Sequence, residues 1–270
     1  MIRTLCFAVV FALSAGPSWA NARMTLLMDA LMMSEVVAIL HAEGLAYAQD
    51  LNEDMLAGTG GAFWNGQIRQ IYDSNRITER LRRALEEGMS PDQIDAALAF
   101  FDTEGGARIV SLENAARQAL ADPQVDQAAR DVYASLKGSD DPLMTRVTRY
   151  IDDNDLLERN VSGAMSANFQ FYKGLSDGRY TEQSEADILE EVWSQQDEIR
   201  EDTEYWLNGF LLMAYQPLPL ETLDAYIAYS ASDSGQALNA ALFDGFEAVY
   251  RDISYALGRA IALNADGDEI

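Results

Sequence analysis

From residue 24 to residue 262 the chain is written almost wholly in helix-forming residues, and this restricts its fold more than any other feature. Alanine, leucine, glutamine, glutamate and arginine dominate the stretch, and all carry high helix propensity. Sustained apolar–polar alternation, the mark of a strand, is missing, and β-branched runs are few. A sheet has little to be built from. The punctuation agrees. Gly58-Thr59-Gly60-Gly61 breaks the first helical stretch, Gly88 ends the second, and Ser90-Pro91 opens the third with a capping hydroxyl and a proline at the first helical position. The pattern predicts an all-α fold. Helices are expected over 24–56 (one long or two short), 64–87 with a bend at 73–75, 91–101, 104–121, 124–137, 143–173, 182–214, 219–230 and 233–262.

The chain also matches itself. A shift of 129 residues lays Trp64 on Trp193 and Gln67 on Gln196. It lays the run Asp92 to Phe100 on Glu221 to Tyr229, and Thr103-Glu104-Gly105-Gly106 on Ser232-Asp233-Ser234-Gly235. The physics of the unit is readable. Ile94, Leu98 and Phe101 share one helical face, as do Leu223, Tyr226 and Ile227. Thr103 and Ser232 are placed to accept from free backbone N–H groups at the start of the next helix. Glu104 and Asp233 complement the positive end of its dipole. A glycine inside a helix costs about 1 kcal/mol against alanine, so its recurrence at Gly106 and Gly235 points to a close backbone approach. The expected organisation is therefore two tandem pseudo-repeats, forming a helical bundle or array. Their ranges are 21–138 and 143–263, with a linker at 139–142 and an acidic tail at 264–270.

The stretch Ala225 to Leu238, with Tyr229-Ser230-Ala231-Ser232-Asp233-Ser234-Gly235-Gln236 at its centre, resembles the signature of a bacterial family known as domain of unknown function 2059. That signature places an aromatic pair, a short spacer, Ser or Thr, then glycine and glutamine between two helices. Phe100-Phe101-Asp102-Thr103-Glu104-Gly105-Gly106 is a more divergent copy. Both copies hold an acid where the family tends to have proline, and Ser230 replaces the second aromatic in the later copy. The resemblance implies a helical, exported protein and transfers no activity and no catalytic residue.

The N-terminus has the build of an export signal. Arg3 supplies the positive charge, Leu5 to Ala15 the apolar run, and Gly16-Pro17 the break. Ser18-Trp19-Ala20 offers small residues at both positions a signal peptidase reads, with Ala20-Asn21-Ala22 as the second choice. The run is shorter than the roughly 20 residues a stable span requires. Cleavage after Ala20 removes Arg3 and Cys6. The formal charge of −25, from 44 acids and 19 bases, becomes more negative still, and no cysteine remains. Disulfide, thiolate, iron–sulfur and covalent haem chemistry then lack their ligand. A cysteine-free exported chain fits a bacterial periplasm. The charge opposes binding to nucleic-acid phosphates and to anionic lipid.

The remaining chemistry is sparse. His41 is the only histidine, with no nucleophile elbow to serve, and a helical histidine satisfied by its surroundings is expected. Met24, Met28 and Met32, with Met33 beside them, form a helical stripe. Soft thioethers at that spacing suit copper, but a core stripe is the simpler expectation. No metal site and no cofactor is expected. Arg69, Arg76, Arg80 and Arg83, spaced 7, 4 and 3 apart, put a basic strip on an acidic protein. They are the expected partner contact, against the plainer reading that nearby acids neutralise them. Asp152-Asp153-Asn154-Asp155 lacks the glycine and closing glutamate of a calcium loop and reads as the start of a helix. The expected function is a non-catalytic protein–protein interaction module of the envelope. The alternatives are a hydrolase or lyase using paired carboxylates, which needs two acids converging in a cleft, or a small-molecule or metal carrier, which needs an apolar pocket or an outward methionine cluster.

Overall fold

A computed structural model describes residues 17–265, all helix and connecting turn. The apolar run Leu5–Ala15 and the tail from Asp266 lie outside the described residues, and the cleavage positions Ala20 and Ala22 fall within the first helix. The order is α1 (Pro17–Ala30), α2 (Met33–Leu56), α3 (Gly61–Ile71), α4 (Ser74–Gly88), α5 (Pro91–Phe101), α6 (Glu104–Ala119), α7 (Pro123–Leu136), α8 (Pro142–Asp153), α9 (Leu156–Asp177), α10 (Glu185–Ser194), α11 (Gln196–Tyr215), α12 (Leu220–Ser230) and α13 (Asp233–Ala265).

Side chains that satisfy the first free N–H groups set several of the helix starts. Ser90 and Gln93 cap α5 reciprocally, Asp73 accepts from the Arg76 amide at the start of α4, and Asp141 accepts from the Leu143 and Met144 amides of α8. Two expected helices are each divided in two, the 24–56 stretch takes its two-helix form, and the bend expected at 73–75 is a full break. The 24–56 stretch breaks where Met32 takes a left-handed conformation (φ 50°), and 64–87 breaks at the Asp73 cap. The 143–173 stretch breaks at Asn154 and Asp155, the latter left-handed at φ 53°, and 182–214 breaks at Gln195. The 152–155 cluster is thus a joint between helices as well as a helix start.

The long helix α13 is the axis of the molecule. Its buried residues Leu238, Ala241, Gly245, Val249, Ile253, Leu257 and Ile261 recur every three or four positions, and it packs on α9, α4, α5, α3, α2 and α12. A second layer forms where α11 packs on α7, α6, α9 and α8. One buried apolar cluster takes in residues from both sides of the 139–142 linker. Helices α9 and α13 cross with their backbones in close approach. A Cβ on Gly174 would stand 2.3 Å from the Tyr255 carbonyl oxygen, and one on Gly258 would stand 2.2 Å from that of Phe171.

The methionine stripe is core. Met24 is 1% exposed, Met28 and Met33 are buried, and only Met32 is half-buried. That burial removes the outward cluster a copper carrier needs. Among the described residues no single helix is long and apolar enough to cross a membrane. The pair Asn21–Ala30 and Met33–Leu56 passes on length and composition but bends by 60° between its parts.

Candidate functional site: a buried carboxyl among tyrosines

Two segments 129 residues apart share one local geometry. Helices α5 and α12 begin and end 129 positions apart, and α6 and α13 begin 129 apart. Thr103 Oγ1 accepts from the Gly106 amide at 3.0 Å and donates to the Phe100 carbonyl at 2.7 Å. Ser232 Oγ accepts from the Gly235 amide at 3.2 Å and donates to the Tyr229 carbonyl at 2.6 Å. A Cβ on Gly106 would lie 2.3 Å from the Phe100 oxygen, and one on Gly235 would lie 2.1 Å from the Tyr229 oxygen. Both glycines are therefore required by close backbone approach. The correspondence does not reach the tryptophans: Trp64 is 2% exposed inside the core, whereas Trp193 is 60% exposed on α10.

The two segments meet. Phe100 stacks on Tyr229, and Phe101 meets the Tyr229 ring edge-on at 5.4 Å. Behind this junction lies a cavity of about 170 Å³. Its apolar wall includes Leu31, Val36, Val110, Leu238, Leu242 and Phe246; its polar lining includes Glu113, Asn114, Tyr226, Tyr229 and Asn239. Helix α6 delivers Glu113 to this site. The buried residues of that helix, Gly106, Ile109, Val110 and Ala116, define a face on which position 113 falls.

Tyrosines surround the carboxyl. Tyr215 donates to Glu113 Oε1 at 2.6 Å, and the Tyr150 and Tyr226 hydroxyls lie 2.8 Å apart. Burial pushes the Glu113 carboxyl up to about 7, against the opposing pull of hydrogen bonds from Tyr215 and Tyr226. Burial, reinforced by the Glu113 charge, raises all three tyrosines well above the ordinary phenol range. They remain neutral donors at any ordinary pH, and Glu113 exchanges its proton near neutrality. Asn114 Nδ2 and the Tyr229 hydroxyl are buried without any partner in the protein. The cavity lining brings in one carboxylate, so the paired-acid chemistry of a glycosidase lacks its second group at this site.

Beside the cavity, Asn154 is a polar knot only 3% exposed. It donates to the Tyr150 carbonyl at 2.9 Å and to Ser230 Oγ at 3.1 Å. Its Oδ1 accepts from Gln236 at 3.0 Å and from Asn239 at 2.5 Å. The motif glutamine thus ties the second copy to the α8–α9 joint.

The arginine strip is divided. Arg69 sits on α3, apart from the other three on α4. Arg76, Arg80 and Arg83 line a surface groove with Ile71, Glu79, Val249, Asp252 and Ile253. Arg80 pairs with Asp252 at 2.6 Å, and Arg76 donates to the Ile71 carbonyl at 2.6 Å. Arg83 has no ion pair among the described residues. His41 Nδ1 lies 2.8 Å from the Tyr72 carbonyl. A carbonyl only accepts, so that nitrogen carries the proton. Among the described residues no three His, Cys, Asp or Glu side chains gather as a metal site would require.

Fold and site together define an all-α protein whose polar centre is a protonatable carboxyl enclosed by phenols. Residues 75–134, from α4 into α7, match the family described as an uncharacterized protein conserved in bacteria (DUF2059). That segment resembles the family and contains the Phe100–Gly106 motif; the Tyr229–Gln236 motif lies outside it. No curated protein and no solved structure gives a significant match to the chain.

Composition hid the site. In a chain with 44 acids one more glutamate attracts no notice. The signal that finds it is positional: Glu113, half-buried, stands on the apolar face of α6, where an ionised side chain is poorly solvated.

Proposed function

We propose that this chain is an exported, non-catalytic interaction module of the bacterial envelope, and that α10 carries its principal contact. The observation behind this is a pair of large apolar side chains left in water. Leu189 and Trp193 stand one turn apart and are 46% and 60% exposed. Tryptophan is prominent among residues that dominate protein interfaces. Exposed Glu185, Asp187, Glu190 and Glu191 surround the pair. The complementary partner is a protein with an apolar socket and a basic rim, and the acidic rim steers its approach. The N-terminal segment supports export. The shared register of α5–α6 and α12–α13 supports reading the second motif as a divergent copy of the first. The arginine groove is a second proposed contact, suited to an acidic segment, because Arg83 is free to pair.

In-cell photocrosslinking tests the contact. A crosslinker in place of Leu189 in the exported chain should recover one reproducible partner by mass spectrometry, and Trp193→Ala should abolish the recovery. Reproducible recovery of nothing, or a set indifferent to Trp193, overturns the assignment. A crosslinker at Arg83 reads the groove separately.

A further inference from the structure

We propose that the cavity between the two motif copies is a binding site for a small neutral molecule with a ring-sized apolar body and a single hydroxyl or carbonyl oxygen. Three observations fix that chemistry. The first is size: a cavity of about 170 Å³ is close to the engineered apolar cavities of about 150 Å³ that accept benzene. The second is the wall. Val36, Leu238, Leu242 and Phe246 present carbon to a ligand's body and reject a solvated charge. The third is the pair of unsatisfied groups. Asn114 Nδ2 can only donate, and the Tyr229 hydroxyl can donate or accept. Both are buried without a partner in the protein, and both residues line this one cavity. Leaving such groups unpaired is costly, and a ligand oxygen accepting from either relieves part of the cost.

Glu113 sharpens the selectivity. Its carboxyl is already engaged by Tyr215 and is held as an acid that ionises near neutrality. At pH 8 an anionic ligand placed beside it meets the carboxylate charge, which does nothing to compensate the ligand's own lost hydration. A phenol or an aromatic ketone carries its polarity in one neutral oxygen and avoids both penalties. The stacked Phe100 and Tyr229 rings stand at the Tyr229 side of the cavity. A ligand there is therefore held at the contact between the two motif copies, on residues that a structural repeat does not need to leave unpaired.

The test uses the purified exported chain and three probes of one shape: p-cresol, toluene and p-toluate, titrated calorimetrically at pH 8. Saturable p-cresol binding, with toluene about tenfold weaker and p-toluate weaker still, is expected, since one lost hydrogen bond to a buried group is worth about a factor of ten. Tyr229→Phe should weaken p-cresol by a similar factor and leave toluene unchanged. Leu242→Trp should abolish both by filling the cavity. Equal affinity for p-cresol and toluene, a preference for p-toluate, or no saturable binding by the folded chain overturns the proposal. So does binding that survives in a folded Leu242→Trp variant. Should that variant not fold, the Tyr229→Phe comparison decides the matter.

Discussion

Phe100 and Tyr229 lie face to face, their ring centroids 4.4 Å apart and their planes within 8° of parallel. They are also the same position of the motif, 129 residues apart in one chain. The stack is therefore a direct contact between the two segments that share this register. The pairing carries an energetic consequence. Phe100→Ala and Tyr229→Ala should each destabilise the fold in urea titrations. The double variant should lose less than the sum, with a coupling of about 0.5–1.5 kcal/mol, the range for an aromatic pair beyond its buried area. Additive losses would show that the stack contributes only area.

The motif glycines make a sharper prediction. In an ordinary helix, Gly→Ala stabilises by about 1 kcal/mol. At Gly106 and Gly235 the new methyl would meet the carbonyl oxygens of Phe100 and Tyr229 at 2.3 and 2.1 Å, backbone atoms that cannot swing aside. Each alanine should lower the urea midpoint by the equivalent of about 2–3 kcal/mol, as overpacking does. A rise in the midpoint at either site would refute the close-approach account.

What could be read in the sequence follows from which interactions are local. Boundaries set by caps were legible. The pattern expected α5 over the residues where it lies, because Ser90, Pro91 and Thr103 fix its limits without outside help. The break at Asn154 was not legible as a tertiary joint, since its partners Ser230, Gln236 and Asn239 are far away in the chain. The same holds for the arginines. Sequence put Arg69 on one strip with Arg76, but the Asp73 cap starts a new helix between them. Trp64 and Trp193 aligned as letters, yet only Trp64 found a core to enter. Glu113 was hidden because what makes it unusual is Tyr215 of α11 and Tyr226 of α12, both more than a hundred residues downstream.

The crossing of α9 and α13 rests on the same steric argument in another place. Gly174 and Gly258 face each other with backbone atoms inside the volume of any added carbon, and a Cβ on Gly178 would meet the Ala262 methyl at 2.2 Å. Gly258→Ala should separate the two helices and cost about 2–3 kcal/mol or more in denaturant titration. Gly163→Ala, on the same helix α9 but with nothing within 4 Å of its added carbon, should instead stabilise by up to about 1 kcal/mol. Equal effects at the two sites would refute the crossing as described.

Glu113 links stability to pH. Its folded pKa of about 7 lies above the ordinary value of 4.5, so between those values the folded state holds a proton that the unfolded state has released. Stability must then fall as pH rises through that window, and it stays low above it. A gap of that size corresponds to up to about 3 kcal/mol at 1.36 kcal/mol per pH unit. Many other carboxylates titrate nearby, so the measurement is a difference. Urea unfolding of the native chain and of Glu113→Gln is compared at pH 5 and pH 8. The glutamine keeps the shape and cannot ionise. The native chain should lose more stability than the variant between the two pH values, by an amount approaching that figure. If the two lose the same amount, Glu113 is ionised without penalty in the fold and the enclosed acid has been misassigned.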